Sequence, residues 1–209
     1  RSPGKAATSV YFFAIGVGYL MVEVCLLSRM SRLLGDSVLA AAVVIPAFLF
    51  FSGLASWRAQ HVRSSSSAAL RVAVVVLVSA LCLGEAIFDP ITRASGQFPL
   101  AARSAVAILL IAPAAFVMGY FMPIGLRRLH ESDPVLIPWA WGMNGFGSVL
   151  ASPLATALGM MHGYRLAGGI ALGLYLTAVL VAAGRRSTTT GAHLPGAHGS
   201  RGAPATLTG

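Results

Sequence analysis

Along the chain, long apolar blocks alternate with short polar intervals. Six blocks stand out, at residues 9–28, 38–57, 69–88, 104–122, 138–161 and 166–184. Each is close to the ~20 residues that a helix needs to cross a hydrocarbon core. None alternates with period two, and all are about twice the length of a barrel strand, so helix is the state that satisfies the backbone in lipid. The pattern predicts an all-α polytopic membrane protein with six transmembrane helices in a bundle over residues 9–184. Residues 1–8 form an N-terminal flank. Residues 185–209 are rich in Ser, Thr, Gly, Ala, His and Pro and lack an apolar period. Such a tail cannot bury enough surface to offset its ordering entropy and reads as disordered.

Composition reinforces the pattern. Of 209 residues 56% are hydrophobic and only 10% charged, against about 25% charged in a soluble domain. The net charge of +9 raises the question of nucleic acid, but the basic residues punctuate the apolar blocks and form no face interleaved with aromatics, which excludes that partner. Their placement instead sets orientation. Of the 15 lysines and arginines, five (Arg29, Arg32, Arg93, Arg103 and Arg165) fall in one set of connections, and the other ten fall in the opposite set and at both ends. The richer side is expected to be cytoplasmic, with both termini inside and the chain in a bacterial cytoplasmic (inner) membrane. The interval from Asp89 to Arg103 is expected to be an external loop. A signal peptide is excluded, because the first block is too long for an apolar signal core and no small-residue cleavage site follows it. Residue 1 is Arg rather than Met, which fits a piece of a longer protein.

Two carboxylates lie where apolar residues are expected. Glu23 interrupts the first block and Glu85 the third. An intramembrane acid costs on the order of 2.5–3.5 kcal/mol on insertion scales and marks a functional or packing constraint. With the predicted orientation, the two sit about 6 and 9 Å beyond the centres of their spans, at nearly one depth. If they face each other, they suit a proton relay or a cation site. If they do not, Glu85 reaches the interface by snorkelling and Glu23 acts as hydrogen-bonding glue. Gly16 and Tyr19 share a helix face with Glu23, and glycine there admits a neighbouring backbone.

The fifth block is the most patterned. Asn144, Ser148, Ser152 and Thr156 form a polar ridge at i+4 steps, beside a small-residue ridge of Gly147, Ala151, Ala155 and Gly159. Such a helix is central and closely packed, and its polar ridge either lines a solute path or supplies interhelical hydrogen bonds. Pro46, Pro113 and Pro153 lie within spans, as in the broken helices of many transporters and in ordinary kinked membrane helices. Catalytic constellations are absent: the chain has no phosphate-cradling glycine loop, nucleophile elbow, zinc motif or dinucleotide fingerprint. No cofactor is implied. Cys25 and Cys82 fall in apolar blocks and read as small hydrophobes, and His193 and His198 in the tail fall short of a ligand set for a metal.

Several segments resemble a family of bacterial multi-pass membrane proteins described as spermidine synthase-like, or as fused transporter-like and spermidine synthase-like. These are Gly18-Tyr-Leu-Met-Val-Glu23, Leu33-Leu-Gly35, Ser52-Gly-Leu-Ala-Ser56, Met118-Gly-Tyr-Phe-Met-Pro-Ile-Gly-Leu126 and Pro138-Trp-Ala-Trp-Gly-Met-Asn-Gly-Phe-Gly-Ser148. The resemblance implies the C-terminal membrane half of such a protein, which accompanies a soluble aminopropyltransferase-like domain not contained in these residues. It carries over Glu23, Gly35, Gly53, Pro123, Pro138, Trp139, Trp141, Asn144 and Gly145 as motif positions. Ser28, Ser37 and Ala55 depart from the pattern, where glutamine, proline and glycine are usual. Two functions follow as expectations. One is a transporter-like module that binds or moves a small, cationic solute at Glu23, with Glu85, Tyr19, Asn144, Ser148 and Ser152 as candidate partners and Gly16 and Gly18 as packing positions. The other is a non-catalytic anchor, with the bilayer, a second membrane half or a fused soluble domain as its partners.

Overall fold

A computed structural model describes residues 3–61 and 67–190, and within them every regular element is helical. The helices are α1 (Pro3–Leu34), α2 (Ser37–Ala59), α3 (Ser67–Ala94), α4 (Leu100–Met118), α5 (Phe121–Ser132), α6 (Ile137–His162) and α7 (Tyr164–Thr190). Two 3-10 turns, Ser95–Gln97 and Pro134–Leu136, precede α4 and α6. The described residues include five helical stretches long and apolar enough to cross a membrane: Gly4–Leu34, Ser37–Ala59, Ala68–Gln97, Leu100–Ser132 and Tyr164–Gly184. The remaining expected span, the fifth block, corresponds to α6. It is 26 residues long, but its polar ridge and glycines leave it less apolar than those five.

Local chemistry explains where the helices stop. Gly35 takes φ +80°, a conformation that strains any residue with a Cβ, and its N–H bonds the Ser31 carbonyl at 2.9 Å to close α1. Asp36 then caps α2, its carboxylate accepting the Leu39 N–H at 2.7 Å. Gly163, at φ +87°, separates α6 from α7. Pro138 occupies the first turn of α6, where its missing N–H costs nothing.

Four boundaries differ from the sequence reading, one of them the expected disordered tail from residue 185, since α7 runs on to Thr190. Part of the expected flank is helical, because α1 begins at Pro3. The expected external loop is largely helical too: α3 runs through Pro90 to Ala94, and only the 3-10 turn and Phe98-Pro99 precede α4. Near a helix end Pro90 forfeits one hydrogen bond without ending the element. The fourth span divides at Gly119-Tyr120, and α5 then carries a polar face ending in Arg127, Arg128 and His130. Gly119 sits so close to α2 that a Cβ there would lie 2.3 Å from the Ser52 carbonyl oxygen. The tail beyond Thr190, including His193 and His198, lies outside the described residues.

α1 is the axis of the bundle. Its closest partners are α6 and α7, while α2 packs on α4 and α1, and α3 sits at the edge against α4 and α7. Tyr11, Phe12, Ile15, Met21 and Val22 of α1 are buried, as are Phe48 of α2 and Tyr175 of α7. Apolar side chains cover the outside as well, among them Leu49, Leu83, Leu109, Val149 and Leu180. In water such a surface would aggregate; in lipid it is the expected exterior. Association inside lipid depends on close packing rather than on removal of apolar area from water, and the α1–α6 contact shows how it is reached. A Cβ on Gly16 would lie 2.3 Å from the Asn144 carbonyl oxygen, and one on Gly147 would lie 2.7 Å from the Phe13 carbonyl oxygen.

Candidate functional site

One groove gathers several of the residues singled out above. It encloses about 410 Å³ between α1, α2, the α4–α5 junction, α6 and α7, and Tyr19, Gly53, Pro123, Asn144 and Ser148 all line it. Ser52, Gly119 and Tyr175 complete its wall. The Tyr19 and Ser52 hydroxyls are 3.0 Å apart, and Ser52 also donates to the Leu49 carbonyl at 3.3 Å. The Tyr19 ring stands edge-on against Phe48, with centroids 5.1 Å apart. On the opposite wall the Asn144 amide donates to the Phe12 carbonyl at 3.3 Å, and Ser148 donates to the carbonyls of Asn144 at 3.0 Å and Gly16 at 3.4 Å. The bonds to Phe12 and Gly16 stitch α6 to α1. Gly18 makes room for Tyr175, whose ring lies 2.9 Å from where a Gly18 Cβ would be.

Glu23 does not line this groove. It is half-buried one turn from Tyr19 on α1, and among the described residues no hydrogen bond or ion pair reaches its carboxylate. Glu85 belongs to a different constellation. Its carboxylate pairs with Arg29 of α1 and, at 3.3 Å, with Arg165 at the start of α7. The cavity beside Glu85 is lined on α1 by Val22, Cys25, Leu26, Arg29 and Met30. Glu23 is not among them and lies about 90° around the helix from the middle of that face. The structure thus brings Tyr19, Asn144 and Ser148 together and gives Glu85 arginine partners instead of Glu23.

The remaining motif positions have structural surroundings. Trp139 donates from Nε1 to the Ser9 hydroxyl at 2.8 Å, and the Lys5 ammonium lies 4.2 Å above its ring. Trp141, Gly145 and Ser152 are exposed on α6. A Cβ at Gly53 or Gly145 would meet nothing within 4 Å.

Sequence reasoning missed Ser52, Gly119 and Tyr175 as lining residues. Ser52 lay within a motif segment, but its pairing with Tyr19 depends on how α1 and α2 cross.

Hydroxyls, a carboxamide and aromatic rings equip the groove to hold a ligand by hydrogen bonds and packing. Its lining has hydroxyls but no carboxylate, imidazole, amine or thiol, so no neighbouring base in the groove activates them. Among the described residues no group of three or more His, Cys, Asp or Glu is arranged to hold a metal ion.

Fold and groove together are consistent with a multi-pass, all-helical integral membrane module. No family model, curated protein or solved structure matches the chain.

Proposed function

We propose that this chain is a transporter-like membrane module that binds or moves a small cationic solute, with the Tyr19 groove as its binding region and Glu23 as its charge. The observation that carries this reading is a carboxylate with no hydrogen-bond or ion-pair partner among the described residues, one helical turn from a groove lined by hydroxyls and an amide. An acid serving only as interhelical glue needs a partner on another helix. Glu23 has none among the described residues, and so is free to answer a charge supplied from outside the chain. In this reading α6 also crosses the membrane, giving six spans, both termini face the cytoplasm, and the membrane is the bacterial inner membrane.

The test is uptake of a radiolabelled polyamine into proteoliposomes. Glu23→Gln is expected to lower uptake about tenfold or more, the loss of ~1.4 kcal/mol of interaction, while Ser152→Ala leaves it unchanged. Undiminished uptake by a folded, inserted Glu23→Gln protein would sink the proposal.

A second reading has its own support. Asn144 and Ser148 direct their hydrogen bonds at backbone carbonyls of α1 and α6, which is what helix-holding residues do. On that footing the chain is the membrane anchor of a spermidine synthase-like protein whose soluble domain lies outside these residues. It predicts that Asn144→Leu lowers thermal stability in detergent, with no polyamine uptake by the unsubstituted protein.

A further inference from the structure

A second cavity lies at the end of the bundle that carries Arg29 and Arg165, apart from the Tyr19 groove. It is a slot of about 420 Å³ between α1, α3, α4 and α7, walled by residues such as Val22, Leu26, Leu81, Leu110, Ala114 and Leu172. Cys82 and Gly169 line it and are themselves exposed, so the slot opens sideways between α3 and α7. From Val22 to Arg29 it follows α1 for about 10 Å.

At its rim the chemistry changes. A vestibule of about 730 Å³ shares Arg29, Glu85, Phe88, Tyr164 and Arg165 with the slot and adds Arg32 and Asp89. Three guanidinium groups therefore face two carboxylates. Arg29 and Arg32 lie 5.3 and 5.1 Å from the centre of the Phe88 ring. Glu85 is shared by Arg29 and Arg165, whereas among the described residues Arg32 has no ion pair. The rim is short of one negative charge, and Arg165 is 78% exposed.

We propose that the slot and rim bind one anionic amphiphile from the membrane, with an acyl chain in the slot and a phosphate-bearing headgroup between Arg32 and Arg165. Guanidinium forks match phosphate oxygens, and an anionic lipid gains on the order of 1 kcal/mol for each arginine near it. A soluble anion would leave the apolar slot unfilled. An uncharged chain would leave the arginine excess unanswered. The site shares no residue with the Tyr19 groove, so its failure would leave the solute reading untouched.

Cys82 reports occupancy directly. The full chain in detergent micelles is treated with a maleimide, and Cys82→Ala gives the background from buried Cys25. Phosphatidylglycerol is expected to slow Cys82 alkylation about fivefold more than phosphatidylcholine with the same chains, the effect of one arginine's attraction, and inorganic phosphate is expected not to slow it. Arg32→Gln should make the two lipids equal. Gly168→Leu, which projects into open space at the slot wall, should abolish protection by either lipid. Gly169→Leu serves the same purpose if the first variant does not fold. Equal protection by both lipids in the unsubstituted protein overturns the headgroup assignment. Protection by phosphate alone overturns the acyl slot, and no protection by phosphatidylglycerol overturns the site.

Discussion

At the scale of single residues, glycines in similar segments carry very different loads. Gly16 sits where a side chain would collide with the Asn144 backbone at 2.3 Å, whereas Gly145 faces open space. Backbone cannot rotate aside as a side chain can, so Gly16→Ala must push α1 and α6 apart. The expected cost is about 1–3 kcal/mol, as for other overpacked sites, read as a lower melting temperature in detergent. Gly145→Ala is expected to be neutral or stabilising by up to ~1 kcal/mol, because alanine is the better helix former. Equal effects of the two substitutions would contradict the close α1–α6 approach.

Among the elements, α6 carries the most tension between composition and position. It makes the most extensive contact with α1, yet it is not among the helices apolar enough by themselves to cross a membrane. A helix of this kind gains from a partner already in place. Isolated α6 is expected to insert less completely than isolated α2 in a glycosylation-mapping assay, and Asn144→Leu should raise its insertion by roughly 2 kcal/mol or less. Helix state and approximate position were legible in the sequence because apolar blocks of spanning length admit little else. The divisions within blocks were harder to see. The interval from Asp89 read as a loop, yet Pro90 lies inside α3, since helix geometry tolerates one missing bond near an end. Gly119 lies inside an apolar block but marks the α4–α5 junction, because its role depends on how near α2 approaches.

Across the whole molecule, charged side chains tie together helices that the apolar pattern leaves unordered. Glu85 links α1, α3 and α7 at one end through Arg29 and Arg165. Arg29 is only 11% exposed, so Glu85→Gln leaves a poorly hydrated cation behind and is expected to cost about 1–3 kcal/mol in thermal unfolding. Arg165→Met, removing a far more exposed partner, should cost ~0.5 kcal/mol or less. Glu85 stood out in the sequence as an intramembrane acid, but its partners did not, because Arg29 and Arg165 read as loop charges until helix lengths and crossings placed them beside it. Glu23 stood out for the same reason, and its neighbourhood depends on the same crossings. Three other arginines also tie helices together. Arg103 reaches the Leu33 carbonyl of α1, Arg127 the Ala59 carbonyl of α2 at 2.5 Å, and Arg128 the Ala182 carbonyl of α7 at 2.8 Å. Positive charge steers a nascent chain into one orientation, and in the finished bundle these same groups bond carbonyls of neighbouring helices, those of Leu33 and Ala59 being bare ones at helix ends. Lysine would separate the two duties in time. Arg127→Lys with Arg128→Lys should thread the membrane in the same direction, as read by accessibility of introduced cysteines, and then melt earlier by about 1 kcal/mol for want of the planar fork. Sorting and holding, done by one set of side chains, would come apart into an early step that survives and a late one that does not.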